Sequence, residues 1–536
     1  MSARWIAAAA LFHVTIAILL FTAGRMQLAP HLVNRDGLVP GSDSITYQSD
    51  AIRHDAAAPF HVRLLAVVLA FLAPLLGYNI LAAEPLNLVC YLAVVCLTFA
   101  IGREIGGARA GFVSAAMIAL WPTFVFHTLQ LLKDPLFIAG ALLLVFIVLT
   151  WLTQTYDWRR ASGAGLVMIV AASLVLLIRS KFAVVVLGLI LAGAALLIVR
   201  QLIKKRLLVW NLVCVLAALT ATALAMSAST RTFERVKAFP SPYRGESKLA
   251  AGNQMRVPTR LVRHSATSDG VSQRLGSIRD RYIAADRLAG SGVDDDVNIR
   301  NTGELIAYLP RAAAIGLWAP FPAMWLQSGR MAGTTGRLLA GAETSVIYLL
   351  EILTVAAVVL RPRRLPALLL LLFAVSGVTM LGLVVTNVGT LYRFRYTFWI
   401  LLIVTGVSGA EKLLQSAAAR RNAAAAALAC ATLLIGSCAH PAAAALTITN
   451  LTGAKINALY LSPAGASTWE ENILGRDILR DGDTVTIRFD ARAHPQFWDL
   501  RADSGTHRAE WLRLDGNRIS AIALRLDKGV AVAEVR

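Results

Sequence analysis

The feature that most constrains this chain is the recurrence of uncharged apolar runs about 20 residues long, the length that an α-helix needs to cross a bilayer. Such runs cover residues 5–24, 85–102, 110–132, 135–156, 161–178, 182–199, 207–230, 365–392 and 422–439. Two weaker segments, 344–360 and 396–410, complete a set of eleven. Hydrophobic residues make up 57% of the chain and charged residues 16%, against roughly 25% in soluble domains. We therefore expect a polytopic α-helical membrane protein.

Basic residues predict the orientation of the spans, because short cytoplasmic loops carry an excess of Lys and Arg. With a cytoplasmic N-terminus, the loops at 103–109, 159–160, 200–206 and 361–364 all place their basic residues inside. A further apolar segment, 64–83, would invert the later loops if it crossed the bilayer, so we predict that it lies on or dips into the outer face. The protein is thus expected in a bacterial inner membrane.

The chain changes character near residue 445. Residues 446–536 contain 12 Lys and Arg and 12 Asp and Glu, so the formal net charge of +20 belongs to the membrane part and is explained by its topology. No nucleic-acid partner needs to be invoked. Alternating polar and apolar residues in LTITNL and DTVTIRFD, separated by turn signals such as RDGD, predict an antiparallel, sandwich-like all-β domain. We expect this domain on the periplasmic side.

Residues 416–445 join the two parts and combine a basic start, an apolar middle and a small-residue end. This layout fits two alternatives: a last span, or an internal segment resembling a secretory signal peptide. Before it, residues 1–415 form the predicted membrane domain. Within that domain, the polar stretch 229–343 predicts a long external loop region.

Three basic clusters lie where predicted helices meet the outer face. They are Lys133 beside Asp134, Arg179 with Lys181, and Arg393 with Arg395. Arg and Lys at this depth can hold a lipid phosphate or diphosphate, since Arg offers a planar fork of donors and Lys a compact charge. The alternative is snorkelling, in which a side chain at a helix end lifts its charge to the headgroups.

Carboxylates are predicted near these cations. Asp43, in the segment GSDSITY, falls in the first external loop, and Asp134 falls in a later one. A sugar transfer needs a carboxylate to take a proton from the acceptor while a phosphate leaves. A solvated loop carboxylate is the plainer alternative. Glu351 is a further candidate, because an acid inside a span is costly and tends to be functional or paired.

The order of these motifs resembles the GT-C superfamily of membrane glycosyltransferases, which use polyprenyl-phosphate sugars and include protein mannosyltransferases and lipid A aminoarabinose transferases. Their early external acid with a Tyr four residues on is similar to Asp43 and Tyr47, and their later external acid to Asp134. Arg179-Ser180-Lys181 resembles a further external turn, and Arg393-Phe394-Arg395-Tyr396 a late motif. Two departures are Ser44, where a second acid is usual, and Glu84, where an Arg is common.

The resemblance implies an inverting transfer of a sugar from a polyprenyl-phosphate carrier to a periplasmic-side acceptor, which is a glycolipid, a polysaccharide or a protein. Asp43 would be the base, and Asp134 would position the acceptor or a divalent metal, Mg²⁺ or Mn²⁺. The cations would bind the carrier phosphate: Lys133, Arg179, Lys181, Arg393 and Arg395. Tyr47, Glu351 and Tyr396 are further candidates.

Two other functions stay open at this point. One is a polymerase or ligase of lipid-diphosphate-linked oligosaccharides in exopolysaccharide assembly. The other is a non-catalytic transporter or assembly scaffold that carries the β-domain. The C-terminal segment itself resembles a small periplasmic module of proteobacteria.

Overall fold

A computed structural model describes the chain in segments. They are residues 1–28, 33–39, 43–53, 58–179, 182–238, 269–286, 292–294, 297, 299–326, 333–360, 365–415, 444–464, 469, 472–474, 478–489, 497–504, 508–515, 521–527 and 530–535. The chain divides into two compact units, Met1–Leu434 and Ile435–Arg536. The domain limits predicted above, with boundaries at residues 415 and 445, fall among or beside undescribed residues and stay predictions.

The described part of the first unit contains sixteen α-helices. They are α1 (Ala3–Arg25), α2 (Asp43–Ile52), α3 (Phe60–Leu76), α4 (Ile80–Gly106), α5 (Ala108–Ala119), α6 (Pro122–Leu129), α7 (Asp134–Thr153), α8 (Trp158–Ile178), α9 (Ala183–Lys204), α10 (Val209–Ala238), α11 (Asp269–Asp286), α12 (Thr302–Trp318), α13 (Gly333–Leu360), α14 (Leu365–Val384), α15 (Val388–Phe394) and α16 (Tyr396–Gln415). A short 3₁₀ turn, Pro322–Met324, follows α12.

The prediction of a polytopic helical membrane protein is confirmed. In the described part of the chain, eight helices are long and apolar enough to cross a bilayer: α1, α4, α7, α8, α9, α13, α14 and α16. Counted as one span, the bent pair α5 and α6 makes a ninth. The apolar part of α10, Val209–Leu224, is shorter, and the predicted span at 422–439 lies outside the described residues.

Three apolar segments predicted to be continuous are broken, each for a local reason. At 110–132 the chain bends by 61° between α5 and α6, because Pro122 lacks an N–H donor and disfavours helix at Trp121. At 365–392 the helix ends at Val384, and the Asn387 side chain caps α15 by accepting from Gly389 N at 2.8 Å. At 64–83 Gly77 adopts φ +82°, and Asn79 starts α4 by accepting from Leu81 N at 2.9 Å.

The break near Gly77 changes the bounds of the segment that was predicted as 64–83. Residues 80–83 belong to the membrane helix α4, and α3 is a separate helix of 17 residues that begins earlier, at Phe60. At 1.5 Å per residue α3 is about 25 Å long, short of a hydrocarbon core of about 30 Å. Its Val67, Phe71 and Leu75, four residues apart along one face, are more than two-thirds exposed.

Helix packing brings the predicted outer ends together. α7 and α16 are the most buried spans, and α7, α14 and α16 share one core with α4. Part of the predicted external region also joins this core, because glycines let α12 approach α14 closely. A Cβ at Gly316 would collide with the Val378 carbonyl oxygen, and one at Gly382 with that of Ala312.

The second unit contains seven described strands: β1 (Ala444–Leu451), β2 (Ala458–Pro463), β3 (Thr484–Phe489), β4 (Phe497–Asp503), β5 (Arg508–Asp515), β6 (Ala521–Asp527) and β7 (Val530–Val535). They form a four-stranded sheet ordered β3-β1-β6-β7 and a three-stranded sheet ordered β2-β4-β5. Both sheets contribute to one apolar core that includes Ile448, Leu500 and Trp511. The all-β, sandwich-like prediction is confirmed. The prediction of a purely antiparallel domain is wrong, because β1 pairs with β6 in parallel.

Candidate active site

Two carboxylates and two arginines that are far apart in sequence meet at one end of the helical unit. Arg393 Nη2 donates to Asp43 Oδ2 at 2.9 Å, and Arg393 Nε lies 3.2 Å from Asp134 Oδ2. Arg179 Nη2 donates to the other Asp134 oxygen, Oδ1. Asp43, Asp134, Arg179 and Arg393 therefore form one continuous chain of ion pairs, which we call the carboxylate–arginine cluster.

Each member of the cluster stands at or near the end of a helix. Asp43 is the first residue of α2 and Asp134 the first residue of α7, where the unpaired N–H groups favour negative charge. Arg179 follows the last residue of α8, and Arg393 lies in the last turn of α15. Because α7 leaves this end of the bundle and α8 returns to it, the 45 residues between Asp134 and Arg179 bring the two side chains together.

The two carboxylates differ in exposure. The Asp43 side chain is 50% exposed, whereas that of Asp134 is 5% exposed and has a guanidinium group on each oxygen. Asp134 was predicted to position an acceptor or a metal, and that role stays a prediction. In the structure both of its oxygens are engaged by Arg179 and Arg393. Asp43 is the carboxylate of the pair that an incoming molecule can reach.

Tyr47 and Lys133 border the cluster. The Lys133 ammonium group lies 5.9 Å from the centre of the Tyr47 ring, within the range of a cation–π contact. Burial raises the pKa of Tyr47 to about 12, and the nearby carboxylates of Asp43 and Asp134 add to the rise. Burial and the neighbouring Arg179 lower the pKa of Lys133. Tyr47 is therefore a neutral hydroxyl at physiological pH.

Among the described residues, three basic side chains stand against two carboxylates here, an excess of one positive charge. Although burial opposes the charged form of Arg393, the carboxylates of Asp134 and Asp43 raise its pKa above the usual value. The excess charge suits an anion of low charge, such as a phosphodiester or a phosphate. Lys181, the remaining cation predicted on this side, lies outside the described residues.

An apolar cavity of about 300 Å³ opens beside the cluster. Lys133 and Arg179 are its charged lining residues, and the rest of the wall is apolar or aromatic, including Phe182, Phe394 and Phe398. The Arg179 guanidinium lies 3.9 Å from the centre of the Phe394 ring and 4.9 Å from that of Phe137, so aromatic rings fix its plane. The cavity thus has an apolar body with cations bordering it.

Helix α11, from the predicted external region, forms part of the same cavity wall. Leu275, Ile278 and Tyr282 line it, spaced so that they share one face of the helix. Arg279 anchors this part of the chain by donating to backbone oxygens of Asp294 at 2.6 Å and Leu383 at 2.8 Å. The described part of the external region therefore borders the candidate site.

Arg395 does not belong to the cluster, although only one residue separates it from Arg393. It is fully buried, donates to the Gly316 backbone oxygen at 3.3 Å, and stacks 3.7 Å from the centre of a Trp399 ring. Glu351 points toward the same region, where it accepts from Trp318 Nε1 at 3.0 Å. Both were predicted as site candidates. The structure instead places them between α12, α13 and α16, where they join helices.

Tyr396, another predicted candidate, leads to a buried network that the sequence did not indicate. Its hydroxyl lies 2.5 Å from Thr123 Oγ1. Glu343 accepts from Thr123 N at 2.8 Å, from Thr123 Oγ1 at 2.5 Å and from the Tyr392 hydroxyl. We call Thr123, Glu343, Tyr392 and Tyr396 the Glu343 network. It fixes Tyr392, whose next neighbour in the chain is Arg393.

A second buried contact explains Glu84, one of the two departures from the family pattern. His13 Nδ1 lies 2.7 Å from Glu84 Oε1, and His13 Nε2 lies 3.0 Å from Thr128 Oγ1. The contact joins α1, α4 and α6. An ionisable residue inside an apolar run is the sequence signal for His13.

The carboxylates offer a poor ligand set for a divalent metal. Both oxygens of Asp134 already contact guanidinium groups, and Asp43 shares Arg393. Mg²⁺ prefers an octahedral shell of oxygens that are not bonded to cations. Asp294, from an acidic run in the external region, is bound at both oxygens by Arg311. Within the described residues, no group of three or more His, Cys, Asp and Glu side chains is placed to hold a metal ion.

Comparison with known proteins gives a distant likeness. A family model described as "Predicted membrane protein (DUF2142)" matches residues 85–256, less than half of the chain. No curated protein matches by sequence. A crystal structure of ArnT from Cupriavidus metallidurans bound to undecaprenyl phosphate matches with 14% identity and a TM-score of 0.40, covering 82% of this chain and 72% of ArnT.

The oligosaccharyltransferase AglB from Archaeoglobus fulgidus, in complex with an inhibitory peptide and a dolichol-phosphate, matches with 13% identity and a TM-score of 0.38. It covers 80% of this chain, which spans 55% of AglB. At these identities and TM-scores the two matches assign neither a superfamily nor a reaction nor a substrate to this chain, and the functional proposal depends on the site residues themselves.

Proposed function

We propose that this protein is an integral-membrane glycosyltransferase that moves a sugar from a polyprenyl-phosphate carrier to an acceptor at the membrane surface. The observation that carries the proposal is the apolar cavity bordered by Lys133 and Arg179, immediately beside the carboxylate–arginine cluster. A polyprenyl-phosphate sugar has the matching parts: an apolar chain, one phosphate and a reacting carbon next to that phosphate.

The cavity would hold the first isoprene units, and Lys133 and Arg179 would bind the phosphate. The half-exposed carboxylate of Asp43 would take the proton from an acceptor hydroxyl or amine. The acceptor oxygen or nitrogen then bonds to the anomeric carbon while the bond from that carbon to the phosphate oxygen breaks. The electron pair leaves with the polyprenyl phosphate, whose negative charge the two cations stabilise. A single displacement of this kind inverts the anomeric centre.

Asp134 and Arg393 would act as positioning residues. Asp134 holds Arg179 against the cavity and Arg393 against Asp43, so one buried carboxylate orients both parts of the site. Groups fixed in this way do not need to be ordered during the reaction, which lowers the barrier. No step is assigned to Mg²⁺ or Mn²⁺, because arginines engage both oxygens of Asp134 and one oxygen of Asp43.

A second function fits the same cavity. A polymerase or ligase acting on lipid-diphosphate-linked oligosaccharides would also place a chain in the cavity and phosphates on Arg179 and Lys133. The described side chains of the site carry an excess of one positive charge, which matches a phosphodiester better than a diphosphate. A scaffold role for the chain would leave the carboxylate–arginine cluster without a reaction to perform.

The test compares two variants of the full-length protein in lipid nanodiscs. For Asp43→Asn we expect a loss of sugar transfer of at least about 1,000-fold, because an amide cannot accept the proton, with binding of undecaprenyl phosphate within twofold of wild type. For Arg179→Gln we expect undecaprenyl phosphate binding to weaken by about tenfold to 100-fold, from the loss of a charge-assisted contact.

Matched controls are Asp50→Asn, on the same helix as Asp43, and Arg274→Gln, on the exposed face of α11 one residue from the cavity wall. Both should behave like wild type. Normal transfer by Asp43→Asn would remove it from the reaction. Equal binding of undecaprenyl phosphate by wild type and Arg179→Gln would remove the lipid site.

A further inference from the structure

A second, smaller pocket of about 30 Å³ lies next to the cluster, between α2, α3, α4 and the start of α7. Tyr47, His61, Asn87 and Lys133 are its polar lining residues, and Leu and Pro side chains form most of the remainder. Lys133 lines both this pocket and the larger apolar cavity, so the two share one side chain. A pocket of this volume has room for one or two water-sized groups.

His61 is the unusual member of the pocket wall. It is 8% exposed, and neither of its ring nitrogens has a hydrogen-bond partner among the described residues. Its ring meets that of Tyr47 edge to face at 4.8 Å. A buried polar group without a partner costs about 1–3 kcal/mol, so a ring with two such nitrogens is expected to have a partner in the working protein.

The state of the His61 ring limits what that partner is. Burial lowers the pKa of His61 to about 4, and the neighbouring ammonium of Lys133 adds to this effect. At physiological pH the ring is therefore neutral, with one nitrogen donating and the other accepting. A hydroxyl group can bond to either nitrogen, since it both donates and accepts a hydrogen bond. An ammonium group would be repelled by the positive charge of Lys133.

We propose that this pocket binds a hydroxyl group of a neutral donor sugar, with His61 as its hydrogen-bonding residue. The inference depends on the proposed function, since it takes the carrier phosphate to lie at Lys133 and Arg179. The group attached to that phosphate then lies next to Lys133 and outside the apolar cavity, where the small pocket begins. The substrate class is therefore a sugar that places a free hydroxyl group in the pocket. A sugar that would place an amino group with a positive charge there is excluded.

The experiment measures dissociation constants of the full-length protein in nanodiscs for undecaprenyl phosphate and for undecaprenyl phosphates carrying glucose, mannose, galactose or N-acetylglucosamine. We expect wild type to bind at least one sugar-bearing lipid about tenfold more tightly than the bare lipid, the effect of one buried hydrogen-bonded hydroxyl. In His61→Leu this ratio should fall to about one, with bare-lipid binding unchanged. His61→Gln, which keeps a donor and an acceptor, should retain most of the ratio.

A matched series of lipids, each lacking one sugar hydroxyl, locates the group. Loss of the tenfold preference at a single position in wild type supports the pocket, even if His61→Leu does not fold. Equal binding of all deoxy lipids overturns it, as does an unchanged ratio in His61→Leu. A similar loss of bare-lipid binding in His61→Leu would mean a merely structural role and would also overturn it. If wild type does not bind bare undecaprenyl phosphate, the proposed function itself fails.

Discussion

The segment from Tyr392 to Tyr396 serves two regions of different character. Arg393 faces the carboxylate–arginine cluster, where its side chain is 18% exposed and bridges two carboxylates. Arg395 is fully buried between aromatic rings and a backbone oxygen, away from the cluster. Two arginines with the same chemistry therefore have different surroundings. The end of α15 directs Arg393 toward the open site and Arg395 into the helix interface.

The contrast extends to the acids. Asp43 is half exposed at the open site, whereas Glu343 is 5% exposed and accepts three hydrogen bonds. Buried polar networks of this kind must be fully satisfied, and they then hold their members rigidly. We infer that the buried region stabilises the geometry and that the open region meets the substrate. Each of the following predictions compares the two.

The largest difference is expected for Arg393→Gln. This change removes both ion pairs that join Asp43 to Asp134, so Asp43 loses its fixed position. Misplacing a reacting group by about 1 Å costs on the order of 100-fold in rate, and we expect a fall in kcat of that size. Steady-state transfer kinetics measure it, with Arg274→Gln as the control. A kcat within threefold of wild type would show that Asp43 does not need the bridge.

An intermediate effect is expected for Glu343→Gln. The amide keeps one acceptor oxygen but presents an NH₂ group to neighbours that are themselves donors, so Tyr392 loses its hydrogen bond and the adjacent Arg393 shifts. We expect kcat to fall by about tenfold, or about 1.4 kcal/mol, with the KM for the lipid donor within twofold. Tyr392→Phe should lower kcat in the same way but less.

The split between kcat and KM separates positioning from general destabilisation. If Glu343→Gln lowers the melting temperature but the folded fraction keeps the wild-type kcat, the Glu343 network serves stability alone. A rise in KM without a change in kcat would instead indicate direct contact with the donor.

The smallest effect is expected for Arg395→Lys. Lysine keeps the charge but cannot stack a planar group on Trp399, so stability should fall by about 1 kcal/mol. Thermal unfolding in nanodiscs measures the loss. Undecaprenyl phosphate binding and kcat should stay within twofold of wild type, and a tenfold loss of lipid affinity would restore Arg395 to the phosphate site.

Much of the helical architecture could be predicted from local pattern. Uncharged runs of 20 residues allow few other structures, and eight predicted spans are found as helices. The breaks were harder to predict. A single Pro122 or Asn387 inside an apolar run disfavours a continuous helix. Whether the helix actually ends there depends on which residues pack against it. The parallel pairing of β1 with β6 joins segments more than 70 residues apart, which strand alternation does not indicate.

The site was also predictable only in part, because local pattern indicates charge but not burial. Charge at the predicted outer ends of helices, together with the resemblance to the GT-C motifs, singled out Asp43, Asp134, Arg179 and Arg393, and the structure brings these four together. Arg395, Glu351 and Tyr396 shared the same signal but face the interior. Glu343 and His61 carried no motif at all. Their importance comes from burial and from which side chains surround them.

The sequence by itself determined that this chain builds a multi-spanning helical domain followed by a β-domain, because the length and polarity of each segment limit its environment. It also determined which ends of the helices carry charge. Only the tertiary structure decided which of those charges meet, that Asp134 is enclosed while Asp43 stays open, and that an apolar cavity ends at Arg179 and Lys133. The reason is physical: exposure, and the distance between residues hundreds of positions apart, are properties of helix packing.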